Sequence, residues 1–198
     1  QATVDMMPER RDPNHSFGTN PCSEIVLRDK GLCNLSEVVV RHDDTPAMLG
    51  KKVRIATILG TLQATLTNFR YLSAGWKRNA EEERLLGVSL TGIFDSPWLP
   101  NASSSQLETL KQVAVDTNKE WAKKLGINQS VAVTCVKPSG SVSQLVSSAS
   151  GIHPRYSKHY WRRVRNDKKD PISDALIEAG VPHVTDPYNA DAWSFTFP

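Results

Sequence analysis

Gly18-Thr19-Asn20-Pro21-Cys22-Ser23-Glu24-Ile25, followed by a second cysteine in Leu32-Cys33-Asn34-Leu35, is the stretch from which the rest of the chain can be read. It places a carboxamide, a thiol and a carboxylate within five residues. Pro21 fixes its own φ and pushes Asn20 away from the helical region, which predicts a looped or extended backbone. On extended backbone, side chains at i, i+2 and i+4 point the same way, so Asn20, Cys22 and Glu24 are expected to face one space. A thiol hydrogen-atom donor, a general base and a hydrogen-bonding amide can act together there on a substrate carrying hydroxyls. Cys33 follows Cys22 by eleven positions. That is too wide for a C-x-x-C redox motif and lacks the paired spacing of a zinc site, so no metal is expected.

A second chemical segment lies downstream, at Lys137-Pro138-Ser139-Gly140-Ser141-Val142-Ser143-Gln144. The apolar run Val131 to Val136 predicts a strand that feeds this Ser/Gly-rich turn and then a helix start. Such a junction aims backbone N–H groups and hydroxyls at one point, which suits a phosphate. The spacing matches neither a P-loop nor a dinucleotide fingerprint. By itself the turn is also what a plain strand-to-helix connection looks like.

Taken together, Asn-Pro-Cys-x-Glu, the downstream Cys-Asn-Leu and Lys-Pro-Ser-Gly-Ser-Val-Ser resemble the ribonucleotide reductases, and most of all their class II, adenosylcobalamin-dependent members. The resemblance runs from about His15 to Pro198. It implies an α/β fold, namely the second half of a ten-stranded α/β barrel with a central finger loop. Residues 1–198 are expected to be a fragment of that single catalytic barrel domain, without its N-terminal half and C-terminal tail.

The resemblance also implies roles. Cys22 matches the cysteine that carries a transient thiyl radical, Glu24 the base on the 3′-hydroxyl, and Asn20 the amide that binds the sugar hydroxyls. Cys33 matches one half of the redox-active pair, whose partner should lie upstream. Pro138, Ser139, Gly140, Ser141 and Val142 match the substrate phosphate loop, with Ser141 in place of the usual Thr. The implied cofactor is adenosylcobalamin. The implied partners are a ribonucleoside triphosphate, a thioredoxin-like or dithiol reductant, and a deoxynucleotide effector bound outside this segment. The alternatives are a class I chain needing a separate radical-generating subunit, and a nucleotide-binding module without chemistry.

Composition bounds these readings. With 39% hydrophobic residues among 198, the chain can bury a sizeable core. A net charge of +3 is too mild to imply nucleic acid. Three cysteines, an odd number, argue against a secreted disulfide framework and for a reducing compartment such as the cytoplasm. No apolar run reaches the length of about 18 residues that a membrane span requires. The start lacks both an initiator Met and a signal-peptide core, and an end on the aromatic strand Trp193–Phe197 is unusual; both suggest a piece of a longer chain.

Between the motifs, residues 1–17 read as a polar loop in which His15 is exposed and Arg10, Arg11 and Arg28 (further on) are solvated surface charges. Leu35–Val40 and Leu85–Gly92 read as strands. A helix is expected from Pro46 to about Tyr71, capped by Thr45. Another is expected behind a Ser105/Glu108 capping box, closed by Gly126. Strands alternating with helices predict a parallel sheet. Cys135, inside the third strand, reads as a small buried apolar residue rather than as the partner of Cys33. His153 reads as structural. The basic run Arg155–Lys169, with Tyr156, Tyr160 and Trp161, invites a single-strand nucleic-acid reading; a strand at Tyr160–Arg165 with one solvated face is preferred. Asp170-Pro171 starts a short helix that ends at Gly180.

Overall fold

The computed structural model describes residues 7–198. Gln1 to Met6 lie outside the described residues, so the loop expected there is tested only from residue 7 on. The chain divides into two compact units, Gln1–Pro154 and Arg155–Pro198.

The first unit opens with a hairpin, β1 (Phe17–Thr19) against β2 (Val26–Arg28), antiparallel. β3 (Asn34–Val39) then pairs in parallel with β4 (Leu86–Thr91), in register Asn34↔Leu86 to Val39↔Thr91. The crossover is helical: α1 (Pro46–Gln63) and α2 (Ala74–Glu83). Thr45 caps α1 as expected, its hydroxyl accepting Met48 N–H at 3.3 Å. The helix stops at Gln63, eight residues short of Tyr71. Thr65 turns its hydroxyl onto the Leu62 carbonyl at 2.7 Å, and Thr67 bonds Glu81 at 2.9 Å. Hydroxyls that compete with the helical ladder end it, although the apolar spacing continues.

After β4 come two 3-10 turns, Ile93–Asp95 and Leu99–Asn101, and the long helix α3 (Ser104–Leu125). Its capping box is Ser103/Gln106, two residues ahead of the expected pair, and Gly126 closes it at φ +67°. Lys123 and Lys124 occupy its last turn, where cations suit the helix dipole.

Val131 to Val136 departs from the expected strand. It bonds along β4, but Leu86 N–H goes to the Ala132 carbonyl and Val88 N–H to the Val133 carbonyl. Two residues of β4 thus face one of the third segment, a bulge that leaves a single parallel bridge at Val88↔Thr134.

The core lies between this sheet and the helices: Val38, Val40, Leu49, Val53, Ala56, Leu86, Val88, Leu110, Ala114 and Val133. Leu49 and Leu86 are fully buried. Gly60 of α1 lets the helix approach closely: a Cβ there would stand 3.3 Å from Leu86 Cδ2. Buried Asn118 satisfies its amide by donating to Thr61 Oγ1 at 3.1 Å and Ser130 Oγ at 2.9 Å, and by accepting Ser130 N–H. That network ties α1, α3 and the third segment together.

The second unit is an antiparallel sheet of β5 (Arg162–Asp167), β6 (His183–Asp186) and β7 (Asn189–Phe197) in the order β5-β7-β6, with a helix at Pro171–Glu178. Asp170 accepts Ile172 N–H to cap that helix. Phe195 is its fully buried anchor, with His183 packed at 5.6 Å and also against Trp193 at 4.9 Å. Within the basic run, Arg165 pairs with Asp186 at 2.9 Å and Lys168 lies over Trp193 at 4.3 Å. The parallel arrangement expected from the sequence therefore holds for β3 and β4 and not for this unit. Among the described residues no helix is long and apolar enough to cross a membrane.

Candidate functional site

The hairpin leaves Asn20 to Ile25 as its loop. Asn20 N–H donates to the Ile25 carbonyl at 3.2 Å and Ser23 N–H to the Asn20 carbonyl at 2.9 Å. Ser23 has φ +60°, unusual for a residue with a side chain. The backbone is therefore turned, not extended, and the alternation expected of Asn20, Cys22 and Glu24 does not hold. A short loop joining antiparallel strands must reverse, and an Asn bonding its own loop helps it to do so: Asn20 Oδ1 accepts Ile25 N–H at 3.1 Å.

The three side chains meet different surroundings. The Cys22 thiol is exposed. Asn20 has its oxygen engaged by the loop, which leaves the NH2 end to donate. Glu24 is half-buried, and its Oε2 is shielded from solvent with no hydrogen-bond partner among the described residues.

Below the loop, the two faces of the sheet differ. Ser36 and Leu86 look toward α1. On the opposite side a Cβ at Gly87 would meet Leu35 Cδ2 at 2.5 Å, Cys135 Sγ at 3.0 Å and Ile25 Cδ1 at 3.1 Å. The absent side chain of Gly87 is thus where the loop, β3 and the third segment converge. Burial pushes the Cys33 thiol up to about 12, and the charges of Cys135 and Glu24 add to the effect. Burial likewise raises Cys135 to about 11, with Glu24 adding and Lys137 opposing. The Glu24 carboxylate thus lies near enough to both thiols to raise them, and Glu37, which alternates with Leu35 onto this face, has an Oε1 that is shielded and without a partner among the described residues.

Cys33 and Cys135 are nonetheless separated by β4. Two strand spacings amount to about 9–10 Å, beyond the roughly 7 Å between Cα atoms that a disulfide tolerates. This geometry agrees with reading Cys135 as something other than the partner of Cys33.

The Pro138–Val142 segment sits at the C-terminal end of β4, the end where open parallel sheets bind ligands. Buried Thr91 fixes it: its hydroxyl donates to the Ala149 carbonyl at 3.1 Å and accepts Gly151 N–H at 2.8 Å. Gly151, at φ +54°, leaves no room for a side chain, because a Cβ would lie 2.8 Å from the Lys137 carbonyl oxygen. Ser139 is buried and its hydroxyl accepts Ser143 N–H at 3.1 Å. Ser139 therefore shapes the turn, while Pro138, Gly140, Ser141 and Val142 are exposed around it. α4 (Ser141–Leu145) starts there, with Gly140 before it and no side-chain cap. His153 is exposed and turns Nδ1 to the Ser150 carbonyl at 3.2 Å, a local contact.

A cleft of about 1050 Å³ is lined by Glu24 and Ile25 of the loop together with Arg10, Arg11, Leu85 and Lys111. None of residues 138–142 lines this cleft. Among the described residues there is no group of three or more His, Cys, Asp or Glu able to hold a metal ion.

Sequence reasoning missed three positions. Arg11 and Arg28, expected as solvated charges, are 5% and 8% exposed. Arg11 grips Glu83 through Nε–Oε1 at 2.8 Å and Nη2–Oε2 at 3.1 Å, and Arg28 pairs with Glu82. These partners are more than 50 residues away, and only folding brings them near. Gly87 lies in the run read as a strand, where nothing in the sequence says what approaches it. Arg10 is exposed, as expected.

No family model matches the chain. It is 30% identical over 211 aligned positions to an adenosylcobalamin-dependent ribonucleoside-triphosphate reductase of Lactobacillus acidophilus, covering 91% of this chain and 28% of that one. It is 29% identical over 180 positions to the protein of the same name from Euglena gracilis, covering 87% and 24%. A crystal structure of a B12-dependent, class II ribonucleotide reductase superposes with a TM-score of 0.70 over 98% of this chain and 30% of that one, at 24% identity. The chain spans about 28% of the length of the first of these curated relatives. It has the α/β fold of the corresponding part of the class II enzyme, and over the part that it spans it is similar in sequence to the adenosylcobalamin-dependent ribonucleoside-triphosphate reductases.

Proposed function

We propose that this chain is part of the catalytic barrel domain of a reductase that converts ribonucleoside triphosphates to deoxyribonucleotides in the cytoplasm, for DNA synthesis, by a thiyl-radical mechanism. One observation carries the reading: an exposed thiol, Cys22, lies in the same short loop as Glu24, whose Oε2 is shielded without a partner among the described residues and whose charge reaches the half-buried thiol of Cys33. A structural loop gains nothing from a shielded carboxylate oxygen without a partner. A loop that binds a hydroxylated sugar does.

Adenosylcobalamin is the cofactor named in the relatives. The feature of this chain that fits it is the exposure of Cys22, which leaves the sulfur open to a bulky group. When bound, the cofactor supplies the one-electron oxidant that removes the thiol hydrogen. The Cys22 thiyl then takes the hydrogen atom from ribose C3′ and becomes a thiol again. Glu24 accepts the 3′-hydroxyl proton, while the Asn20 NH2 donates to a sugar oxygen. The 2′-hydroxyl leaves as water. Cys33 and a second thiol supply two electrons and two protons, one proton leaving with the water and one ending on C2′, and the two sulfurs close as a disulfide. Cys22 returns its hydrogen to C3′, and Glu24 returns its proton to the 3′-oxygen.

The raised Cys33 suits this task. A thiol held protonated resists stray exchange with outside disulfides and keeps the hydrogen that reduction consumes. The exposed backbone at Gly140, Ser141 and Val142 is proposed to receive the phosphates. A thioredoxin-like protein or a small dithiol then reopens the disulfide, and a deoxynucleotide effector binds outside this segment.

The test is conversion of a labelled ribonucleoside triphosphate by the full-length chain with a dithiol, with and without adenosylcobalamin. Deoxynucleotide formed only with the cofactor is the expected result. Formation that needs another radical source assigns the chain to a different class, and nucleotide binding without reduction in either case removes the enzymatic reading.

A further inference from the structure

We propose that Arg11 and Glu83 act as one positioning device that sets the reach of the loop carrying Cys22 and Glu24. The proposal rests on the reductase reading above and adds residues that do not touch the substrate. The hairpin needs such a device. Each of its strands has three residues, and a lone two-stranded hairpin is at best marginally stable in water. Among the described residues β1 and β2 pair only with each other and extend neither of the other sheets, so no ladder among them orients the hairpin.

Arg11 supplies what the ladder does not. Its planar guanidinium holds both carboxylate oxygens of Glu83, at 2.8 and 3.1 Å, and its Nη1 donates to the Val26 carbonyl of β2 at 2.8 Å. The ring of Phe17 in β1 lies against the same group, 4.9 Å from its central carbon. Arg28 of β2 adds a pair with Glu82, and its Nε lies 3.8 Å from Glu83 Oε2. Side chains of Arg11 and Glu83 are 3% and 7% exposed, so the pair is desolvated on both sides.

Glu83 is a good anchor because it is itself fixed. It ends α2, and its carbonyl accepts Val131 N–H at 3.0 Å, at the start of the segment that leads to Ser139. One guanidinium therefore references both strands of the hairpin to α2 and to the third segment of the sheet. Bidentate Arg–carboxylate geometry is directional, and Lys, a point charge, does not reproduce it. Radical chemistry at Cys22 depends on distance to a single ribose hydrogen. Misplacement by about 1 Å is enough to cost on the order of 100-fold in rate.

The experiment compares Arg11→Lys, Glu83→Gln and the double variant in the full-length chain. It reads kcat and KM for the labelled triphosphate, and hydrogen exchange at the loop amides of Asn20, Ser23 and Ile25. Each single variant is expected to lower kcat about tenfold or more with KM within about twofold, and to speed exchange in the loop but not in β3 and β4. The double variant is expected to match the worse single, because the two residues act as a unit. Loop exchange unchanged from wild type overturns the device, whatever the activity. So does a kcat within about twofold of wild type despite faster exchange, a multiplicative double variant, or KM rising in step with falling kcat. A wild-type chain that reduces no nucleotide refutes the reductase reading and leaves the exchange result to judge the clamp. If Arg11→Lys does not fold, Glu83→Gln, which keeps the volume and one acceptor oxygen, carries the same comparison.

Discussion

On the helix-covered face of β3 and β4 stand Val38, Leu86 and Val88, packed with Leu49 and Val53 of α1; on the other face of the same two strands stand Leu35, Glu37, Gly87 and Ser89, with Cys33 just ahead and Cys135 beside them. Parallel strands are normally buried on both faces and read as continuous apolar runs. Here five of the six residues of β4 are buried, yet only one face is uniformly oily. The first face stores stability. The second holds groups that are costly to bury, two thiols and two shielded carboxylate oxygens, and closes over them with Ile25 at the one position where Gly87 leaves room.

Substitutions can break that contrast. Leu49→Ala is expected to destabilise by about 2–5 kcal/mol in urea unfolding, because a fully buried side chain leaves a cavity. Thiol reactivity at Cys22 should not change. Gly87→Ala is expected to cost about 1–3 kcal/mol, since its Cβ cannot be accommodated without moving Leu35, Cys135 and Ile25. It should also speed modification of Cys33 and Cys135 as the loop lifts. Unchanged stability in Gly87→Ala would show that the loop does not rest on the sheet.

Titration sharpens the same contrast. Burial raises Cys33 and Cys135 from 9.0 to about 12 and about 11, so between these values the folded chain keeps protons that the unfolded chain has released. Stability from both thiols is fully present below about pH 9 and falls as pH climbs through the folded values. Urea midpoints measured from pH 8 to 10.5 should decline, and the decline should shrink in Cys33→Ala. At pH 7.5 an alkylating reagent should take Cys22 first, leaving Cys33 and Cys135 for slow modification through opening. Equal rates for the three thiols would mean that the second face is not closed. The smallest expected effect is that of Ser139→Ala, about 1 kcal/mol or less from the lost acceptor of Ser143 N–H.

Much of the frame was legible before any coordinates. Thr45-Pro46 and Gly126 are local signals, and they bound helices where expected. β-branched Val38 and Val39 and the Leu85–Gly92 run mark strands for equally local reasons. Legibility failed where a local signal met a competitor. The apolar spacing ran on to Tyr71, but the Thr65 and Thr67 hydroxyls ended α1 early. Period two was expected of Asn20, Cys22 and Glu24, but the loop had to reverse. Cys22, Cys33 and Glu24 stood out as candidates through their neighbours in sequence.

The sequence by itself marked several of the elements, the candidate site residues and the resemblance to class II reductases, because caps, turns and motifs act over a few residues. Only the tertiary structure decided which groups share a space. Arg11 reaches Glu83 across 72 positions and Thr91 fixes Gly151 across 60, and the register of β3 on β4 sets which side of the sheet each residue faces. Such pairings follow from packing and desolvation over the whole fold, which no local window of residues encodes.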